Sequence, residues 1–408
     1  MSLPPHLHFD FDQELEHKME CEGTKKVVLV IGSTGIVGSA LINLLLLENP
    51  KNPVGSCKKV YALSRRPMPP WYMAASSSSF SSNNDPIPTV IHLHVDLADD
   101  AAVTKALAPL TDITHVFYVT WAPRHGWSNT EAHTVNRAML SSVLSAVIPN
   151  APDLKHVALQ SGRNQSADPF QPPVRGAFAE DGWLGPFSED LPRPDYPDLE
   201  DALIDGIASR VGDVTWSVHR PATILGFSPR SSRNLVSSLC VYAAICSKEG
   251  AVLRWPGSLV AWEGFSDACD AWLIAVQAIW AAMMARPNEA FNCGNGDVFK
   301  WKQLWPILAS YFGVPWAGYE GEDQRFKLEE AMVGKEPVWA EIINENGLVE
   351  TELDDITTWW LVDAVVNAEK EHVETMNKSK EFGFHSIYDT VRCFDTCIRK
   401  MKASRIVP

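Results

Sequence analysis

No stretch of this chain stays apolar for the roughly 20 residues that a helix needs to cross a bilayer. The apolar run at residues 239–245 is far too short and reads as a buried helix. No secretory leader is expected either, since MSLPPHLHFDFDQELEHK carries acids and prolines where a leader needs an apolar core. The eight cysteines (Cys21, Cys57, Cys240, Cys246, Cys269, Cys293, Cys393, Cys397) include no CxxC pair and no framework of the small secreted kind. Reduced thiols and a cytoplasmic location are therefore expected. Positive charge is short as well: 35 Lys and Arg against 50 Asp and Glu give a formal net charge of -15, which repels nucleic-acid backbones and anionic membranes. His92 and His94 alternate along one strand, and His6 and His8 lack partner ligands, so no metal site is expected.

What the chain has is ordinary globular material, 46% hydrophobic and 21% charged. Its 408 residues exceed one usual core, so a nucleotide-binding domain with a smaller lobe is expected. Residues 1–24 read as an arm. Residues 27–31 form a mostly β-branched run of the central parallel kind, followed at once by GSTGIVG and the apolar stretch 36–47. Strand-like runs recur at 59–63, 90–95, 115–119, 156–160 and 215–219, with helical stretches at 101–107, 131–147 and 198–210. Such alternation predicts an α/β Rossmann domain, a doubly wound parallel sheet, over 25–226. The Ser-rich stretch 74–88 reads as a flexible surface insertion, and 169–197 as an irregular segment over the cleft. From 227 the pattern is mainly helical and rich in tryptophan, so 227–408 is expected to form a substrate-binding lobe, with 290–300 returning to the core.

A glycine-rich turn between strand and helix lets backbone N–H groups approach a diphosphate, with the helix start adding partial positive charge. Gly32, Thr34, Gly35, Ile36, Val37 and Gly38 are placed for this. At the end of the second strand, where an NAD site presents an acid to the ribose, the chain reads Ser64-Arg65-Arg66. Two guanidiniums there suit a 2′-phosphate, so NADP(H) is the expected cofactor. Asp96 and Leu97 close the third strand and are placed to flank the adenine, with a plain helix cap as the alternative for Asp96. The usual Tyr-x-x-x-Lys pair of short-chain dehydrogenases is missing: Tyr72, Tyr118, Tyr196 and Tyr242 are followed at that spacing by Ser76, Ala122, Glu200 and Cys246.

Several long and unusual segments carry a resemblance instead. They are GSTGIVG, SRR at 64–66, THVFYVTWA at 114–122, VIPNAPDLKHVALQSGR at 147–163, TWSVHRP at 215–221 and NGDVFKW at 295–301, then GKEPVW, MNKSKEFGF and the ending IVP. On these the chain resembles the plant progesterone 5-beta-reductase and iridoid synthase (PRISE) family of atypical short-chain dehydrogenases. The resemblance implies that Tyr196, five residues before Asp201 in YPDLED, stands where the family has its catalytic tyrosine. The family's lysine position is Asn164 here, and Pro194-Asp195 replaces the family's Asn-Phe before the tyrosine. By the same resemblance Thr120, Trp121, Gln160, Ser161 and Arg220 line the cofactor cleft. Trp121, Phe170, Trp183 and Phe187 offer an apolar wall for a steroid or terpenoid.

The implied activity is NADPH-dependent reduction of the C=C bond of an α,β-unsaturated carbonyl compound. A carbonyl reductase needs its tyrosine to give up a proton, and the lysine favours that. In conjugate reduction a neutral tyrosine stabilises the enolate by donating a hydrogen bond, so loss of the lysine is survivable. A non-redox cyclase or isomerase on the same fold, and an NADP-binding regulatory protein, remain alternatives at this point. The expected partner is a small apolar carbonyl substrate, with a homodimer possible.

Overall fold

The computed structural model describes residues 26–46, 57–70, 89–122, 129–162, 199–229, 231–283, 288–371 and 373–408. Strand β1 (Lys26–Ile31) is buried on both faces from Val27 onward because helices cover both sides of it. It leads through the glycine-rich turn into α1 (Ile36–Leu45) and then β2 (Cys57–Ser64). After β3 (Thr89–His94) the chain alternates through α2 (Asp100–Leu107), β4 (His115–Tyr118), α3 (Asn129–Val147), β5 (His156–Gln160), α4 (Leu199–Ile207) and β6 (Thr215–Pro221). The cap of α2 is the Asp99 carboxylate, which accepts from the Ala102 N–H at 3.0 Å. Asp96 instead accepts from the Ala98 N–H at 3.1 Å, so the cap alternative for Asp96 falls to its neighbour three residues on.

With β7 (Glu289–Cys293) these strands form one parallel sheet in the order β7-β6-β5-β4-β1-β2-β3. This is the doubly wound order, with its switch point between β1 and β4. The outermost strand β3 has exposed His92 and His94, as an edge strand permits. On one face α2, α3 and α4 pack over Leu29, Ile31, Val116 and Val157. The other face carries α1 and a helix from the second half of the chain.

That second half begins with α5 (Leu235–Glu249), buried continuously from Leu235 to Cys246; it contains the apolar run 239–245. Next comes α6 (Ala271–Met283), apolar all round, which lies on the sheet beside α1 over Val28, Val30 and Ala158. The second half thus enters the sheet layers about twenty residues before 290–300, the return suggested by sequence. A separate core gathers α5 with α7 (Trp301–Phe312), α8 (Glu336–Asn346), α9 (Trp359–Val366) and α10 (Thr390–Ala403) around Trp255, Trp301, Trp305 and Trp339. Among the described residues no helix is long and apolar enough to cross a membrane.

A buried polar relay crosses the layer between β5, β6, α6 and β7. His156 Nδ1 meets Thr215 Oγ1 at 2.8 Å and its Nε2 meets Ser217 Oγ at 2.9 Å. Ser217 Oγ meets His219 Nε2 at 3.0 Å, and His219 Nδ1 meets Gln277 Oε1 at 2.9 Å. Gln277 Nε2 donates to the Asn292 carbonyl at 2.9 Å, so its Oε1 must accept. It follows that His219 Nδ1 carries the proton, Ser217 donates to His219 Nε2, and His156 Nε2 donates to Ser217. With the ring kept neutral by burial, one terminal amide therefore fixes the tautomer of His219.

Candidate active site at the C-terminal edge of the sheet

The turn after β1 is fastened from below: the N–H groups of Gly32 and Ser33 both donate to the Leu63 carbonyl, at 2.9 and 3.0 Å. Gly32 has φ +92°, and a Cβ there would lie 2.8 Å from Thr120 Cβ and 3.0 Å from the Val119 carbonyl oxygen. A Cβ on Gly38 would stand 2.1 Å from the Gly32 carbonyl oxygen. Glycine is thus demanded by left-handed backbone at one position and by close helix-to-turn approach at the other. The helix behind it starts at Gly35 with no side-chain cap and no acid in its first turn. Such a start offers its N–H groups and partial positive charge to an anion. The Ser33 hydroxyl is buried beside it without a hydrogen-bond partner among the described residues. Cradle, uncapped helix start and orphaned hydroxyl together fit the diphosphate of a dinucleotide.

Ile36 and Val37 turn their side chains into the core between α1 and α6, leaving only their backbone to face the turn. Arg65 and Arg66 are exposed at the end of β2, and among the described residues neither forms an ion pair. Ser64 Oγ donates to the Arg66 carbonyl at 2.9 Å, which shapes this corner. Asp96 is exposed and Leu97 buried on the same edge.

Thr120 lies against Gly32 at the switch point, and Trp121 is partly buried with its ring edge-on to His133 at 5.1 Å. Asn136, fully buried on α3, clips this segment: its Oδ1 accepts from the Ala122 N–H at 2.8 Å and its Nδ2 donates to the Ala122 carbonyl at 3.2 Å. Gln160 ends β5 with a buried Oε1 that has no hydrogen-bond partner among the described residues.

Arg220 is buried in an ion pair. Its guanidinium forks onto Glu200, Nε to Oε1 at 2.9 Å and Nη2 to Oε2 at 2.6 Å, with both side chains buried. Ser161 Oγ donates to the same Glu200 Oε1 at 3.1 Å. This cluster ties the ends of β5 and β6 to the start of α4. Sequence reading missed Glu200 and Asn136, since neither sits in a motif and each acts on a partner far along the chain. Of the other expected residues, Tyr196, Asn164, Phe170, Trp183 and Phe187 lie outside the described residues. Tyr118 and Tyr242 are buried, which raises the pKa of each phenol well above its ordinary value.

Comparison with known proteins gives the family and agrees with the fold. The family model for a PRISE-like Rossmann-fold domain matches residues 28–408. The chain is 45% identical over 390 residues to an (S)-8-oxocitronellyl enol synthase of Nepeta cataria, covering 94% of each chain. It is 44% identical over 402 residues to the 3-oxo-Delta(4,5)-steroid 5-beta-reductase of Arabidopsis thaliana, covering 97% of each. Among solved structures, UDP-glucose 4-epimerase from Bifidobacterium longum in complex with NAD+ and UDP superposes with a TM-score of 0.58. That match is 13% identical and covers 93% of this chain and 98% of the other, a likeness of fold alone. The chain therefore belongs to the PRISE family of Rossmann-fold oxidoreductases.

Proposed function

We propose that this chain is an NADPH-dependent reductase of the C=C bond in α,β-unsaturated carbonyl compounds of steroid or terpenoid type. The observation that carries the reading is the match, across at least 94% of the chain, to two kinds of relative whose names describe two outcomes of one reaction. Hydride addition to the β-carbon of a conjugated carbonyl moves the π electrons onto oxygen. Protonation at that oxygen gives an enol, and protonation at the α-carbon gives the saturated carbonyl. A single site that stabilises the oxyanion serves both outcomes.

A bound nicotinamide cofactor supplies the hydride. The chain's own residues do the rest. Backbone N–H groups over Gly32 to Gly38 and the start of α1 hold the diphosphate, and Arg65 and Arg66 meet the 2′-phosphate. Thr120, Trp121, Gln160 and Ser161 edge the cleft beside the ribose and the ring. Tyr196 donates to the developing oxyanion, Asn164 hydrogen-bonds near the ribose without adding charge, and Phe170, Trp183 and Phe187 exclude water with Trp121. The enzyme acts in the cytoplasm.

Steady-state oxidation of NADPH with small enals and enones tests the reading, alongside the Arg65→Ala/Arg66→Ala variant. Consumption that prefers NADPH in the wild type, with a Kd for NADPH raised far more than that for NADH in the variant, is expected. Removing each charge-assisted hydrogen bond costs about 1.5 to 3 kcal/mol. Product without consumption would point to a cyclase, tight NADPH binding with neither to a regulatory protein, and equal loss for both cofactors would overturn the arginine assignment.

A further inference from the structure

Arg233 closes the loop over residues 226–234, which follows the C-terminal end of β6 and so lies on the ligand-binding edge of a doubly wound sheet. One side of this loop is bound to the glycine-rich turn: Ser228 Oγ donates to the Thr34 carbonyl at 2.6 Å. The Asn234 side chain holds Ser228 in place, accepting from its N–H at 3.2 Å and donating to its carbonyl at 2.8 Å. The other side is bound to the C-terminal lobe. Asn234 N–H donates to Thr358 Oγ1 at 3.2 Å, and the Arg233 guanidinium stacks over the Trp360 ring, 5.8 Å from its centroid. Arg233 is thus placed where the turn-side loop meets α9, at the seam of the two halves.

Its guanidinium differs from most of the chain's partly buried ones in having no acid beside it among the described residues. Arg137, Arg220, Arg254, Arg325 and Arg399 each reach a carboxylate within 2.9 Å. Arg233, in a chain with an excess of acids, has no carboxylate partner among the described residues, and its Nε is out of solvent with no hydrogen bond. Burial among neutral groups pulls its pKa below the usual guanidinium value, so the charge is held there at a cost. Helix α5 begins two residues later with no side-chain cap and no acid in its first turn, which adds positive potential at the same place. Trp360, itself 36% exposed, holds the guanidinium by a cation–π contact, and no hydrogen bond within the described residues engages its terminal N–H donors.

We propose that Arg233, backed by Trp360, forms an oxyanion subsite at the mouth of the cleft. It takes a carboxylate at the end of the substrate remote from the reacting double bond, or a phosphate of the dinucleotide. The inference deepens the reductase reading by adding an anionic tail to the substrate class, and it rests on that reading for the position of the cleft.

The test uses a matched pair, 8-oxooct-6-enoic acid and its methyl ester, with wild type, Arg233→Met and Arg233→Lys. The acid-to-ester ratio of kcat/KM should fall about ten- to hundredfold in Arg233→Met and recover in part in Arg233→Lys, the scale of one charged hydrogen bond. Calorimetry supplies the other arm, with NADPH titrated into each protein and the acid titrated into the NADP+-loaded protein. A rise of that size in the Kd for NADPH, with the acid-to-ester ratio unchanged, assigns the oxyanion to the cofactor. If ratio, NADPH affinity and acid binding are all the same in Arg233→Met and wild type, the subsite does not exist. If wild type oxidises NADPH with neither compound, the reductase reading fails while calorimetric binding of the acid still decides the subsite.

Discussion

Acid should destabilise this fold through the relay between β5 and α6, and His219 sets the size of the effect. Burial pushes its imidazole down to about 4, against an ordinary value near 6.5. The unfolded chain therefore binds more protons than the folded one between those values. The stabilising contribution of the neutral ring is complete above about pH 6.5 and is lost as pH falls towards 4. Lowering the pH from about 7.5 to about 4.5 should cost about 2.5 kcal/mol through His219 alone. His156, also pushed well down by burial, adds to the loss in the same direction. The structural reason is the one-way order of the relay: a second proton on His219 would put an N–H against the Ser217 hydroxyl that must donate to it. The His219→Asn variant isolates the term, because its amide can still donate to Gln277 but does not titrate. At neutral pH the variant should be less stable by about 1 to 3 kcal/mol, since Ser217 loses its acceptor. By about pH 4.5 the gap to wild type should close or reverse by about 2.5 kcal/mol. Urea unfolding followed by tryptophan fluorescence at the two pH values measures this. Parallel losses in the two proteins, equal within about 0.5 kcal/mol, would refute the assignment of tautomers and of the neutral ring.

Three further outcomes follow from the site. Gly38→Ala pushes a methyl into the rigid Gly32 carbonyl and should cost about 3 kcal/mol with at least a tenfold loss of NADPH affinity, whereas Gly206→Ala meets the Leu144 side chain, Cδ1 at 2.4 Å and Cβ at 3.1 Å, which can shift at lower cost, and should leave NADPH affinity unchanged; calorimetry and thermal unfolding compare the two. Glu200→Gln leaves the buried Arg220 charge short of its counter-ion and should destabilise by about 3 to 5 kcal/mol in denaturant titrations, while a paired Glu200→Leu/Arg220→Met replacement should recover most of that loss. Tyr196→Phe should slow enal reduction by about 2.7 to 4 kcal/mol in the barrier without abolishing it, and Asn164→Lys should tighten NADPH binding with a modest rate change; an unaltered rate in Tyr196→Phe would dismiss the enolate role.

Sequence reading reaches those parts of the molecule whose signal is local. Lys26–Ile31 and the turn after it are legible because a β-branched run followed by three spaced glycines has few other physical uses. The place of Arg65 and Arg66, exposed just past the end of β2, is legible for a similar reason, since the strand that precedes them is marked by its own residues. The Glu200–Arg220–Ser161 cluster is not, because its members meet only when three elements converge. Helix α6 misleads for the opposite reason. AWLIAVQAIWAAM is apolar on every side, and nothing in its pattern says which of two cores it joins. The only polar mid-helix residue there, Gln277, is the anchor of the relay, a role invisible until β6 and β7 stand beside it.

The late arrival of α6 and β7 also bears on how the chain comes to be folded. The sheet face over Val28, Val30 and Ala158 finds part of its cover, and β6 its outer neighbour, more than fifty residues after β6 itself has been made. During synthesis that gap holds open an unpaired strand edge and an apolar face, the surfaces on which nascent chains associate wrongly. Such distant pairings slow folding, because a long loop must close before any pairing rewards it. Cutting the chain after β6 to obtain a nucleotide-binding fragment would therefore yield an aggregating piece, and the two halves are better regarded as one cooperative folding unit.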